Sequence, residues 1–225
     1  MSPQELLFDF LKLRLNVASI SWLEKSVNVL SDVTEDKTVF TTFSATIRHS
    51  GKASLSLNET ELSMAKAIVP EWSPIDWTLD QTARIILLLA LPPTLSSAKL
   101  MDSIYQTADV GEALALLKAL PLLANPLDHL ARAREGARSN VKSQFEAVAL
   151  RSPYAANHFD ESAWNQLVSK AIFIDSPLEE FVGLDRRANK ALNRILVDLI
   201  KERRAAGRSF SPLIYSCLGQ FGSET

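Results

Sequence analysis

Residues 78–91, TLDQTARIILLLAL, decide the fold of this chain. The run from Ile85 to Leu91 is apolar on every side of a helix, which is typical of a central helix that other helices surround. Thr78 and Gln81 have the spacing of a capping box, which predicts that the helix begins there. A bilayer span takes about 20 apolar residues, so this run is too short to cross a membrane. The stretch therefore predicts a buried helix at the centre of an all-α array.

Start signals outside this stretch predict further helices. Asp109 and Glu112 repeat the capping-box spacing. Cap residues also precede first-turn prolines at Asn125-Pro126, Ser176-Pro177 and Ser211-Pro212. The predicted helices cover residues 3–30, with a possible break near Asn16, and 78–91, 95–107, 110–124, 126–150, 160–174, 177–182, 187–206 and 212–218. We expect one helical domain over residues 1–225, with orthogonal or superhelical α-α packing.

One segment does not follow the helical period. Residues 42–58, TFSATIRHSGKASLSLN, are rich in Ser, Thr and Gly, and their apolar residues alternate at Ala53, Leu55 and Leu57. This pattern predicts a long loop or one short hairpin.

Composition limits the class of protein. A formal charge of −2 and a pI near 6.0 lack the positive field that nucleic-acid binding needs, so we expect no nucleic-acid partner. The single cysteine, Cys217, fits a reducing compartment. The N-terminus carries Glu5 and Asp9 and lacks the features of a signal peptide. The sequence therefore predicts a cytoplasmic protein without a transmembrane segment.

The chain carries no recognisable reaction centre. The GxxxxGK, GxGxxG and GxSxG patterns are absent, and so is helical i, i+4 pairing among the three histidines, His49, His129 and His158. We therefore expect no cofactor and no metal site, and we name no catalytic residue. An enzyme of unrecognised type could use His158, Asp160 and Glu161 with Arg134. In the plainer interpretation, Asp160 caps a helix and Glu161 lies at its positive end.

Two arginines stand on apolar helix faces. Arg84 lies within the central helix, and Arg134 lies on the apolar face of the predicted helix 126–150. Because a guanidinium stays charged, each needs a partner. The partner is either a protein carboxylate or carbonyl, or an anionic ligand in an internal cleft.

The segment RSPYAANHFDESAWNQ, residues 151–166, is either a structural corner or part of a pocket. Aromatic rings beside amide groups are suited to a flat metabolite with polar edges. Packing of the same rings between two helices explains them without any ligand and is the plainer interpretation. The candidate ligand-binding residues are Arg84, Arg134, Arg138, Asn140, Tyr154, Trp164, Asn165 and Gln166.

Long segments of the chain resemble the EboA family of metabolite traffic proteins, which bacterial ebo gene clusters encode. The segments are TADVGEALALLKALPLL at 107–123, ARAREGARSNVKSQFEAVALRSPY at 131–154, FDESAWNQLVSKAIF at 159–173 and VGLDRRANKALNRILVDLIKERRAAGR at 182–208. Residues 76–92 and 40–52 also match, so the resemblance covers about residues 40–208. It implies an accessory or carrier role in secondary metabolism and assigns no catalytic residue.

Three functions follow from these observations. The first is a non-enzymatic accessory protein that binds or moves a small metabolite or a lipid-linked precursor. The second is a scaffold for the pathway enzymes, and the third is the enzyme of unrecognised type. Peripheral membrane contact is a variant, for which the candidate residues are Leu6, Leu7, Phe10, Leu11, Lys12 and Arg14 in the N-terminal helix.

Overall fold

The structure, a computed structural model, describes residues 1–92, 98–208 and Ile214. These residues are all-α, with two isolated β-bridges and no strand, which confirms the predicted fold class. Their helices are α1 Pro3–Lys12, α2 Val17–Ser31, α3 Asp36–Ser50, α4 Glu59–Ile68, α5 Leu79–Leu89, α6 Ala98–Thr107, α7 Val110–Ala119, α8 Leu130–Arg138, α9 Lys142–Ala149, α10 Tyr154–His158, α11 Glu161–Phe173 and α12 Lys190–Ala205. Short 3-10 turns cover Leu120–Leu122, Pro126–His129 and Leu178–Glu180.

Some predictions concern residues outside the described ranges. The start of the predicted helix 95–107 lies outside the described residues. So do the Ser211-Pro212 cap, Cys217 and, apart from Ile214, the predicted helix 212–218. Of the helices in residues 1–92 and 98–208, none combines the length and the apolar character that a membrane span requires.

The chain divides into two compact units, Met1–Ala133 and Arg134–Thr225. The boundary falls inside α8. The expectation of one domain over residues 1–225 stays a prediction.

Helix α5 is the centre of the first unit. Every residue from Leu79 to Leu88 is buried, and α5 contacts α1, α2, α3 and α7. Thr78 and Gln81 form the capping box that the sequence predicts. The segment of residues 78–91 therefore forms the central helix of this unit, as expected from its apolar character on every side.

Helix α1 packs its apolar face inward. Leu6, Leu7, Phe10 and Leu11 are all buried in the core of the first unit. Arg14 forms an ion pair with Glu61, which accepts hydrogen bonds of 2.8 and 2.7 Å from its guanidinium. The apolar face considered for membrane contact is thus not at the surface.

The prediction of a loop or hairpin over residues 42–58 is wrong for its first half, because α3 continues to Ser50. The hydroxyls of Thr46 and Ser50 donate hydrogen bonds to the carbonyls four residues earlier, which satisfies these polar groups inside a helix. The helix ends at Gly51, whose φ of 69° lies in the left-handed region. In residues 51–58 only Ser54 forms a β-bridge, to Thr78.

The prediction of one helix over residues 126–150 is also wrong. A 3-10 turn, α8 and α9 share this segment, with a break at residues 139–141. The Ser139 hydroxyl accepts a hydrogen bond from the Val141 amide and donates one to Gln144, which gives the backbone an alternative to the helix. Leu127, in the 3-10 turn, and Val141, in the break, lie at the surface, with 64% and 43% of their area exposed.

Helices α11 and α12 of the second unit contact each other and agree with the predictions for 160–174 and 187–206. Asp160 and Asn189 cap them by accepting hydrogen bonds from the amides of Ala163 and Leu192. The predicted helix 177–182 is only a 3-10 turn.

Candidate functional site

A cleft of about 340 Å³ lies between the last residues of α8 and helix α11. We call it the cationic cleft. Three residues predicted from the sequence line it together: Arg134, Arg138 and Gln166. The other lining residues are Ala137, Ala163, Leu167, Ser169 and Lys170.

Positive charge dominates this cleft. Arg134, Arg138 and Lys170 contribute three cations, and none of the described lining residues is acidic. The nearest described carboxylate partner is Asp160, whose Oδ2 lies 2.6 Å from Nη2 of Arg134. Because Asp160 is 59% exposed, solvent screens this ion pair. The cleft therefore retains the charge and the donors that favour an anionic ligand.

Arg134 is only partly satisfied by protein groups. Its Nη2 donates to Asp160, whereas its Nε is buried and has no hydrogen-bond partner among the described residues. A buried donor without a partner costs free energy, since it has lost its water. Because this Nε has almost no solvent-exposed surface, an oxygen in the cleft could reach it only if the Arg134 side chain moved.

Lys170 is the residue of this site that sequence reasoning missed. Its Nζ donates to the carbonyls of Ala137 and Ser139, at 3.1 and 2.8 Å, and so caps the end of α8. Nζ also lies 5.1 Å from the centre of the Phe145 ring. Burial lowers the pKa of Lys170 below its ordinary value, because desolvation disfavours the charged form. An anion beside it would oppose this shift.

A second depression adjoins the cationic cleft. It has a volume of about 630 Å³ and is lined by Ser169, Lys170, Phe173, Ile195, Asp198, Leu199 and Glu202. We call it the apolar groove, because Phe173, Ile195 and Leu199 give it an apolar part beside its four polar and charged lining residues. Phe173 is 67% exposed and Ile195 is 42% exposed. Ser169 and Lys170 line both depressions, which therefore meet along α11.

Three further candidates lie in a structural corner. Tyr154, Trp164 and Asn165 are buried, and Asn165 exchanges two amide hydrogen bonds with Asn189, the cap of α12. The guanidinium of Arg187 lies 5.1 Å from the Trp164 ring. None of these three candidates lines the described cleft, and their contacts fit the corner interpretation.

The last two candidates lie elsewhere. Arg84 belongs to the first unit and is 1% exposed. Its guanidinium pairs with Asp80 at 2.5 Å and lies 3.7 Å from Glu112, while its Nε donates to the Phe43 carbonyl. These contacts fit the buried ion pair that the sequence left open as an alternative. Asn140 is exposed in the break between α8 and α9.

Asp160, one of the residues considered for an enzyme, makes two structural contacts. Asp160 caps α11 through Oδ1 and pairs with Arg134 through Oδ2. The Ala163 amide, followed by Arg134, lowers the pKa of Asp160, which is opposite to the shift that a general acid needs. In the described part of the chain, no group of three or more His, Cys, Asp or Glu side chains could hold a metal ion.

Comparison with known proteins identifies the family. The chain matches the family model described as metabolite traffic protein EboA over residues 3–219. This match extends beyond residues 40–208, the range of the sequence resemblance. No curated protein and no solved structure matches the chain. Since the model covers nearly all of its 225 residues, the chain belongs to the EboA family.

Proposed function

We propose that this protein is a non-enzymatic accessory protein that binds a small anionic metabolite, or the anionic part of a lipid-linked precursor, in the cationic cleft. It would carry this ligand for the enzymes of a bacterial secondary-metabolite pathway in the cytoplasm. The family description, metabolite traffic protein, supports the general role. The observation that carries the proposal is three cations around one cleft whose described lining has no acidic residue.

The chemistry of the cleft suits a phosphate or carboxylate. Two guanidinium groups offer planar pairs of N–H donors, and such charge-assisted hydrogen bonds are stronger than neutral ones. The Gln166 amide adds a neutral donor or acceptor that could help to orient the ligand. Arg134 and Arg138 are separated by four residues on α8, so their side chains lie on one side of that helix.

The first test is a calorimetric titration with inorganic pyrophosphate. Replacing Arg138 with alanine should weaken pyrophosphate binding about tenfold, because one charge-assisted hydrogen bond contributes about 1.5 kcal/mol or more. Arg138 is exposed, so the free energy of unfolding should change by less than about 0.5 kcal/mol.

Arg48→Ala is the matched control, since Arg48 is an exposed arginine of α3 in the first unit. It removes the same charge and should leave pyrophosphate affinity unchanged. Equal loss of affinity in both variants would reveal a general charge effect. That result, or a wild-type protein that does not bind pyrophosphate, would contradict the proposal.

A further inference from the structure

We infer that the cationic cleft and the apolar groove form one continuous site for an amphiphilic anion, a ligand with a phosphate or carboxylate head and a hydrocarbon chain. The head would bind between Arg134 and Arg138, and the chain would lie on Phe173, Ile195 and Leu199. This inference rests on the proposed function and names the class of ligand for the same site.

Continuity along α11 is the first argument. Gln166, Ser169, Lys170 and Phe173 follow at i, i+3, i+4 and i+7, so they form one ridge on one face of the helix. Gln166 lines only the cleft, Phe173 lines only the groove, and the two residues between them line both. Seven residues of helix rise about 10 Å. The ridge therefore gives a short chain a direct route from the cleft to the groove.

The surface of the groove is the second argument. Phe173 and Ile195 are large apolar side chains that remain exposed on neighbouring helices, and Leu199 is half-buried beside them. Exposed apolar side chains that face each other across a depression gain free energy when a hydrocarbon covers them. Both volumes, about 340 and 630 Å³, fall in the range of about 300–1,000 Å³ that is usual for ligand pockets.

The charged residues favour one orientation of a bound ligand. Asp198 and Glu202 border the apolar groove together with Lys170, which both depressions share, whereas the described lining of the cationic cleft has only basic charges. An anionic head would be repelled by the two carboxylates and attracted by the two arginines. A ligand with its charge at one end would thus bind in one orientation, with its chain over Phe173.

A calorimetric series of ethyl, hexyl and decyl phosphate, each kept below its micelle concentration, tests this inference. Affinity should rise about twofold for each added methylene. This corresponds to about half of the free energy expected for a fully buried methylene, because the groove is open to solvent. Decyl phosphate should therefore bind about 16-fold more tightly than hexyl phosphate.

A matched pair of variants separates the two ends of the site. Phe173→Ser should flatten the dependence on chain length without changing the affinity for ethyl phosphate, because Phe173 lines only the groove. Arg138→Ala should weaken all three phosphates by the same factor, because Arg138 lines only the cleft. Phe173 is exposed, so this variant should fold normally.

The possible failures are distinguishable. Equal affinity for ethyl and decyl phosphate would overturn the amphiphile inference and leave the proposed anion site intact. Failure of every alkyl phosphate and of pyrophosphate to bind would overturn both. If decyl maltoside, which is uncharged, binds as tightly as decyl phosphate and is unaffected by Arg138→Ala, the groove is a separate apolar surface, such as one for a protein partner, and the inference is wrong.

Discussion

Replacing Arg84 with methionine should lower the free energy of unfolding by about 3–5 kcal/mol, measured by urea denaturation. Asp80 is 2% exposed, and its carboxylate accepts a hydrogen bond of 2.5 Å from the Arg84 guanidinium. Glu112 lies 3.7 Å from the same guanidinium. Without the arginine, two carboxylates at the centre of the first unit lose their cation, and a buried unpaired charge is one of the most costly defects in a protein.

The double variant Asp80→Asn, Arg84→Met is the informative control. It removes the cation and the nearer carboxylate together. In the wild-type protein the Thr78 hydroxyl donates a hydrogen bond to Asp80, and the oxygen of the introduced amide can still accept it. We expect the double variant to be more stable than Arg84→Met alone. Arg48→Met, at an exposed site, should cost less than about 0.5 kcal/mol. An Arg84→Met protein of nearly wild-type stability would show that the ion pair does not hold α5 in place.

Replacing Trp164 with alanine should lower the free energy of unfolding by about 3–5 kcal/mol, because it opens a large cavity in the second unit. Trp164 is 1% exposed and packs against Phe181 and Arg187. Trp164→Phe should cost only about 1 kcal/mol. It keeps most of the apolar ring, and it removes an indole Nε1 that is buried without a partner among the described residues.

The same conservative variant separates a packing role from a ligand role. If Trp164 only packs, the Trp164→Phe variant should bind pyrophosphate with wild-type affinity and should unfold at a slightly lower urea concentration. A tenfold loss of affinity without loss of stability would mean that the indole contacts the ligand. In that case the corner at residues 151–166 would belong to the site after all.

The sequence predicts the central helix and most helix starts well, since these depend on local chemistry. The apolar run after Arg84 could only be buried, and the caps at Thr78, Asp109 and Asp160 each pair a side chain with a backbone amide three residues away. Arg134 could be identified as unusual because charge on an apolar helix face always needs a partner. The family could be identified because its segments extend over much of the chain.

Other features depend on residues far apart in sequence. The apolar period continues across residues 139–141, so it favours one helix, whereas Lys170 binds the carbonyls of Ala137 and Ser139 at the end of α8. This contact spans about 30 residues and leaves no local signal. The same contact explains why Lys170 was missed as a site residue. The Ser and Thr residues of this segment favour a loop, whereas the hydroxyls of Thr46 and Ser50 are satisfied inside the helix by carbonyls four residues earlier.

The proposed function requires that this protein carry an anionic metabolite between Arg134 and Arg138. Native mass spectrometry of the protein purified from its own host tests that claim most directly, with the Arg134→Ala, Arg138→Ala double variant and Arg48→Ala prepared in parallel. We predict an added mass on the wild-type protein and on Arg48→Ala that is lost on denaturation and is absent from the double variant. A wild-type protein without any added mass, or the same added mass on all three proteins, would contradict the claim.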